Sequence, residues 1–177
     1  TTAKKKFMWN MAGSLCNSLS SMLLLIIVNR ISGESRGGFF ALAYSTAQLL
    51  FSVGGFEIRP VQSTDIKNKF TFDQYFTSRM LNCIIMLICM IGYIVVNGYT
   101  GVEALTVFWI LGYRMVEAVA DVYSGLFQQR ERIDISGKEM LMRSGISTIT
   151  FTIILWLTDN LLYAAMTLTL TSLVIML

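Results

Sequence analysis

Three charged residues lie inside one long apolar stretch of this 177-residue chain. Arg114, Glu117 and Asp121 are spaced by three and four residues, which predicts that they share one face of a helix. A charge at the bilayer centre costs about 2.5 to 3.5 kcal/mol on insertion scales, so this face must contact protein or water. One interpretation is an internal ion-pair network. Another is an anion site, because the Arg114 guanidinium presents a planar fork of donors to phosphate or carboxylate.

The composition indicates an all-α integral membrane protein. Hydrophobic residues make up 54% of the chain and charged residues only 14%, against roughly 25% charged in soluble domains. At roughly 20 residues per span, about six transmembrane helices fit the length. We expect them at 9–28, 39–56, 80–96, 102–127, 144–157 and 161–177, in a single lobe covering 1–177. The chain begins without methionine and ends inside an apolar run, so we expect it to be a fragment of a longer transporter.

The residues that usually carry enzymatic or metal chemistry are scarce. The chain has no histidine, and its three cysteines lie in apolar segments without metal-ligand spacing. The glycine pairs lack the flanking pattern of a phosphate-binding loop. We therefore expect no enzyme activity, no metal and no cofactor.

Polar residues also follow one face of each of the first two expected helices. Asn10, Ser14, Asn17 and Ser21 recur at spacings of four, three and four residues. Helix two carries a weaker polar face, which consists of Ser45, Gln48 and Ser52. Such faces can line a wet cavity or can pack against neighbouring helices through small and hydrogen-bonding contacts. The sequence leaves both interpretations open.

Basic residues are concentrated on alternate connections between the expected helices. We expect Pro60 to end helix two, and the polar and aromatic connection 57–79 to lie at the lipid headgroups, where its basic residues contact anionic lipid rather than nucleic acid. Arg30, Arg59 and Arg79 would then be topology or lipid anchors. The positive-inside rule predicts a cytoplasmic amino terminus. The residues on the predicted cytoplasmic side are Lys4, Lys5, Lys6, Arg59, Lys67, Lys69, Arg79, Arg130, Arg132, Lys138 and Arg143, whereas Arg30 and Arg36 lie on the other side.

Several segments carry a resemblance to a known family. They are 117–121 (EAVAD), 125–134 (GLFQQRERID), 143–145 (RSG), 38–43 (GFFALA), 59–62 (RPVQ), and Asp65 through Tyr75 to Arg79. Together they resemble the amino-terminal half of polysaccharide flippases of the O-antigen type, in the multidrug/oligosaccharidyl-lipid/polysaccharide exporter superfamily. The likeness spans nearly the whole chain, although its motifs are loose.

The resemblance implies one lobe of a two-lobe transporter with twelve to fourteen helices. It implies translocation of an undecaprenyl-pyrophosphate-linked oligosaccharide across a bacterial or archaeal cytoplasmic membrane, by alternating access, for O-antigen, lipopolysaccharide or other cell-envelope polysaccharide. The implied partners are this lipid-linked oligosaccharide, membrane lipids, a carboxy-terminal lobe and glycan polymerase machinery.

The resemblance also implies roles for residues. Arg114 would neutralise pyrophosphate, Arg30 and Arg59 would guard the two mouths of the cavity, and Glu117 and Asp121 would hold the arginine or couple an ion. The polar faces of the first two helices would bind sugar hydroxyls. The helix-four face has two acids for one base, so attraction of an anion requires cations from elsewhere. The candidate cavity residues are Arg114, Glu117, Asp121, Arg30, Arg59, Arg79, Asn10, Ser14, Asn17 and Gln48.

Other functions remain as alternatives. A cation-coupled antiporter of a small molecule or drug in the same superfamily is disfavoured, because antiporters of that kind resemble one another in a helix-one carboxylate that is replaced here by asparagine and serine. A membrane glycosyltransferase or glycan polymerase would need a long outer loop, which the expected connections do not provide. A non-transporting interaction subunit is supported only by the short length.

Overall fold

The structure, a computed structural model, describes residues 3–55, 58–65 and 69–177, and only the backbone of 53–55. Within these ranges the chain forms six helices joined by short links, and no strand. The prediction of an all-α protein is confirmed. The helices are α1 (Ala3–Gly55), α2 (Ile58–Thr64), α3 (Phe72–Val96), α4 (Gly101–Gln129), α5 (Ile133–Thr158) and α6 (Leu161–Met176).

Helix α1 reverses direction at Gly33, so it consists of two segments, α1a (3–32) and α1b (34–55). Gly33 has a φ of 84°, which glycine adopts readily because it lacks a Cβ. The two segments are antiparallel, since the Tyr44 hydroxyl donates to Ser21 Oγ at 3.0 Å. The polar turn predicted at 29–38 is therefore much shorter in the structure, with helix continuing up to both sides of Gly33.

The helices run up and down between two ends. At the first end, Lys6 Nζ donates to the Glu131 carbonyl oxygen at 2.8 Å, which joins the start of α1a to the α4–α5 link. At the second end, Arg36 pairs with Asp159 at 3.0 Å, which joins the α1 reversal to the α5–α6 link. Each link thus alternates between the ends, as the sequence interpretation assumed.

The predicted helix starts at 9, 39, 80 and 144 are all too late. The largest errors, at α3 and α5, arise because polar residues in the first turns of these helices were expected to lie in connections. Helix α3 begins at Phe72 rather than 80, where the Thr71 backbone N–H donates to the Gln74 side chain at 2.9 Å. Helix α5 begins at Ile133 rather than 144. Asp134, Ser136 and Arg143 in its first half are buried although they are polar, so the local hydropathy is low although the segment is helical.

Pro60 does not end a helix in the manner predicted. It is the third residue of α2, within the first turn, where proline removes no intrahelical hydrogen bond. The predicted end of helix two at Phe56 lies outside the described residues, and so does Lys67, which was expected on the cytoplasmic side.

The bundle has an apolar interior and an apolar outer surface. Leu24, Phe40, Ile110 and Leu168 lie fully buried in one core. Large hydrophobic side chains are exposed along the outside of α3 at Ile84, Ile88, Ile91 and Val95, among other positions. Three helical regions are long and apolar enough to cross a membrane, namely Ala3–Ser52, Phe72–Val96 and Ile133–Thr158, so membrane association is indicated.

Candidate functional site

A groove lined by both polar and apolar side chains lies between α1a, α1b and α4, with a volume of about 620 Å³. The antiparallel hairpin of α1 forms it, because the reversal at Gly33 brings the polar faces of the two segments to the same side of α4. Ser18, Ser45 and Leu49 on its rim are exposed, so the groove lies at the surface. Its lining residues are Asn17, Ser18, Ser21, Tyr44, Ser45, Gln48, Leu49, Phe51, Arg114 and Glu117.

The floor of the groove carries a buried ion pair. Arg114 and Glu117, 3% and 7% exposed, form a salt bridge within α4. Asn17 Nδ2 donates to the other Glu117 carboxylate oxygen at 2.7 Å, and the Arg114 guanidinium lies 4.4 Å from the centre of the Tyr44 ring. These four residues are called the groove cluster below. The predicted pairing of Arg114 with Glu117 at a spacing of three is confirmed.

A second buried arginine stands behind this cluster. Arg143 of α5 is 2% exposed, donates from Nε to Glu139 at 2.6 Å, and interacts electrostatically with Glu117. Arg143 was expected in a cytoplasmic link and is not among the predicted site residues. The signal was present, because Ser136, Arg143 and Ser147 recur at seven and four residues and are all buried.

Asp121 belongs to a different cluster, one turn closer to the first end of the bundle. Its two carboxylate oxygens accept from Arg59 Nη1 at 3.1 Å and from Arg79 Nη2 at 2.9 Å. These three residues are called the Asp121 cluster below. Asp121 thus pairs with arginines of two neighbouring helices, α2 and α3. The prediction that Arg79 is a topology or lipid anchor is wrong, because its side chain is only 2% exposed and pairs with Asp121.

The remaining predicted site residues lie outside the groove. Arg30 is exposed near the α1 reversal, and Ser14 is exposed on α1a. Asn10 is half-buried at a tight crossing of α1a and α5, where a Cβ on Gly137 would overlap the backbone of Trp9 and Asn10. The structure therefore brings Arg114, Glu117, Asn17 and Gln48 together and separates the other candidates from them.

The neighbouring helices supply the cations that the helix-four face lacks by itself. That face has Arg114 against Glu117 and Asp121. Arg59, Arg79 and Arg143 approach these acids from α2, α3 and α5, and Glu139 accompanies Arg143. The two clusters with the Arg143–Glu139 pair thus hold four arginines and three acids, an excess of one positive charge.

The α2–α3 link has its own carboxylate anchor outside the candidate membrane spans. Asp65 accepts from the backbone N–H groups of Lys69 and Phe70 at 2.9 and 3.0 Å, and from the Tyr75 hydroxyl at 3.0 Å. The two backbone hydrogen bonds lower the pKa of Asp65 below its usual range, because they stabilise the charged carboxylate.

No match decides the family. The chain is significantly similar to no protein-family model, no curated protein and no solved structure. Within the described ranges, no group of His, Cys, Asp and Glu side chains could hold a metal ion. The resemblance to polysaccharide flippases stays a prediction, and the groove geometry is the basis for a functional hypothesis.

Proposed function

We propose that this chain is one lobe of a membrane exporter that translocates an undecaprenyl-pyrophosphate-linked oligosaccharide for cell-surface polysaccharide synthesis. The observation that carries the proposal is the groove, in which a buried arginine lies at the floor and hydroxyl and amide side chains line the walls. Arginine suits a pyrophosphate, and the polar walls suit sugar hydroxyls. Translocation changes no covalent bond, so the site needs no catalytic residue.

The groove also suits a two-lobe arrangement. A surface groove with a buried ion pair and exposed serines is unfavourable against lipid, because charges inside membranes face protein or water. A second lobe would cover this side and leave a polar cavity between the lobes. The large apolar side chains on the outside of α3 would face lipid instead.

In this arrangement the chain crosses the membrane six times. The two segments of α1 count as separate crossings, followed by α3, α4, α5 and α6. Helix α4 keeps Arg114 and Glu117 buried against other helices, and α6 has 16 residues, most of them apolar. The first end of the bundle holds most of the basic link residues, so it faces the cytoplasm of a bacterium or archaeon together with the amino terminus.

The test is export by the full-length protein in cells that depend on it. Replacing Arg114 with Gln should abolish surface polysaccharide while the lipid-linked precursor accumulates inside. Arg36→Gln is the matched control, because Arg36 is an exposed arginine that pairs at the second end of the bundle. Normal surface polysaccharide in Arg114→Gln cells, at normal protein abundance, would reject the proposal.

A further inference from the structure

Two buried arginines flank a single carboxylate at the floor of the groove. Glu117 accepts hydrogen bonds from Arg114 on its own helix and from Asn17 on α1a. Arg143 lies on α5 next to Ser144, which hydrogen-bonds Cys16 and Ser20 on either side of Asn17. It also interacts electrostatically with the same carboxylate. Glu117 is thus paired with Arg114 and also interacts with a second cation, Arg143.

Each of the two arginines has a buried side-chain nitrogen that makes no hydrogen bond to the described residues. Within the described part of the chain, Arg114 Nε and Arg143 Nη1 are buried and have no hydrogen-bond partner. Buried side-chain donors are usually paired, so two unused guanidinium donors around one acid need an explanation. They give the cluster the capacity for more hydrogen bonds to anionic groups than it makes in this state.

The two arginines differ in their access to the groove. Arg114 lines the groove, whereas Arg143 is absent from its lining and lies behind Glu117 with its Nε on Glu139. An anion that enters the groove would therefore meet Arg114 first. Arg114 can turn to it only by weakening its pair with Glu117, and an uncompensated buried carboxylate is strongly unfavourable.

We propose that Arg143 is a positioning residue that takes over Glu117 when Arg114 binds the anionic group of the substrate. Arg143 has a buried Nη1 without a hydrogen-bond partner and already interacts electrostatically with that carboxylate. After the exchange, Arg114 is paired with the ligand and Glu117 with Arg143. The inference rests on the proposed function only for the source of the anion, the pyrophosphate of the lipid-linked substrate.

Inorganic pyrophosphate binding to the purified full-length protein in lipid nanodiscs tests the exchange by calorimetry. Arg143→Gln should weaken binding by about tenfold, since the displaced Glu117 then lacks a partner. Glu117→Gln should tighten binding, because no internal carboxylate competes for Arg114. The double variant should bind within about threefold of Glu117→Gln, since no charge remains to be displaced.

Rescue in the double variant separates positioning from the other roles of Arg143. If Arg143 contacts the anion directly or only maintains the fold, its loss weakens binding equally with Glu or Gln at position 117. Additive effects in this cycle would overturn the inference. So would an absence of pyrophosphate binding to the wild-type protein.

Glu139→Gln gives an independent decision even where Arg143→Gln does not fold. It removes the current partner of Arg143 Nε and leaves that guanidinium to Glu117, so pyrophosphate binding should tighten by about threefold. The control is Glu103→Gln, which removes an exposed acid at the far end of α4 and should leave affinity unchanged. Unchanged or weaker binding in Glu139→Gln would contradict the exchange.

The failure of this inference and of the proposed function are distinguishable. Translocation of lipid-linked oligosaccharide by the wild-type protein is measured separately in vesicles. If the pyrophosphate measurements show the predicted rescue but the protein translocates no such lipid, the exchange of partners is supported and the proposed cargo is rejected. If the protein translocates the lipid but the substitutions have additive effects on pyrophosphate binding, the proposed cargo is supported and the exchange of partners is rejected.

Discussion

The acids of the groove cluster and of the Asp121 cluster lie about one turn apart on α4, but they take their cationic partners from different helices. Glu117 takes its cation from within α4 and has one side on an accessible groove. Asp121 takes both cations from other helices, α2 and α3, and lines no part of that groove. The proposed exchange of partners belongs to the first cluster, whereas the second joins α2, α3 and α4. The spacing of charges along α4 does not by itself distinguish these roles. The partners that the neighbouring helices supply do distinguish them.

The largest expected effect comes from reversing one charge in the groove cluster. Arg114→Glu or Glu117→Arg alone should lower stability by about 3 to 5 kcal/mol, because each leaves a buried charge beside a like charge. The double swap should recover folding better than either single variant while export stays absent. Folded yield in detergent and surface polysaccharide are the two measurements.

A swap that folds no better than the worse single variant would break the assignment of this pair. Recovery would be incomplete in any case, because an arginine at position 117 also lies near Arg143.

The Asp121 cluster should respond in stability. Asp121→Asn should lower the free energy of unfolding by about 3 kcal/mol, the lower end of the range for a broken buried pair, because Asp121 is 20% exposed while Arg79 is 2% exposed. Denaturant unfolding in micelles measures it. Asp159→Asn, which removes an exposed pair with Arg36, is the control and should cost under about 1 kcal/mol. Equal losses in the free energy of unfolding for the two variants would show that Asp121 has no special structural role.

The crossing of α1a and α5 should be sensitive to an added methyl group at Gly137. Gly137→Ala should destabilise the protein by about 1 to 3 kcal/mol, because its Cβ would overlap the α1a backbone at Trp9 and Asn10, about two turns before Asn17. The matched control is Gly145→Ala on the same helix, whose Cβ would lie 3.7 Å from Cys16 Sγ, an ordinary contact. Equal thermal stability of the two variants would show that the crossing is not tight.

The smallest effect concerns the link that carries Arg59 and Arg79 on its two sides. Because the pKa of Asp65 is lowered in the folded state, its contribution is present above about pH 4, the unfolded value, and is lost as pH falls through the folded value. Hydrogen exchange at the Lys69 and Phe70 amides, corrected for intrinsic rates, should therefore accelerate in acid. Asp65→Asn should lack this step, and protection that is constant down to pH 2 would contradict the assignment.

The fold class and the helix-four pair follow from the sequence, because apolar content and spacing act locally. Arg114 and Glu117 are three residues apart on one helix, so their contact needs no knowledge of the tertiary fold. Arg79 and Arg143 were misassigned, since hydropathy alone does not distinguish a charged link from a buried charge that pairs with another helix. The convergence of Asn17 and Gln48 depends on the reversal at Gly33, which the sequence placed only within a broad turn.

The central claim is that the groove cluster handles the substrate while the Asp121 cluster maintains the structure. Translocation of lipid-linked oligosaccharide in vesicles, at matched amounts of folded full-length protein, compares Arg114→Gln with Asp121→Asn. The account predicts loss of translocation in Arg114→Gln and wild-type translocation per folded molecule in Asp121→Asn. Wild-type translocation by folded Arg114→Gln would contradict it.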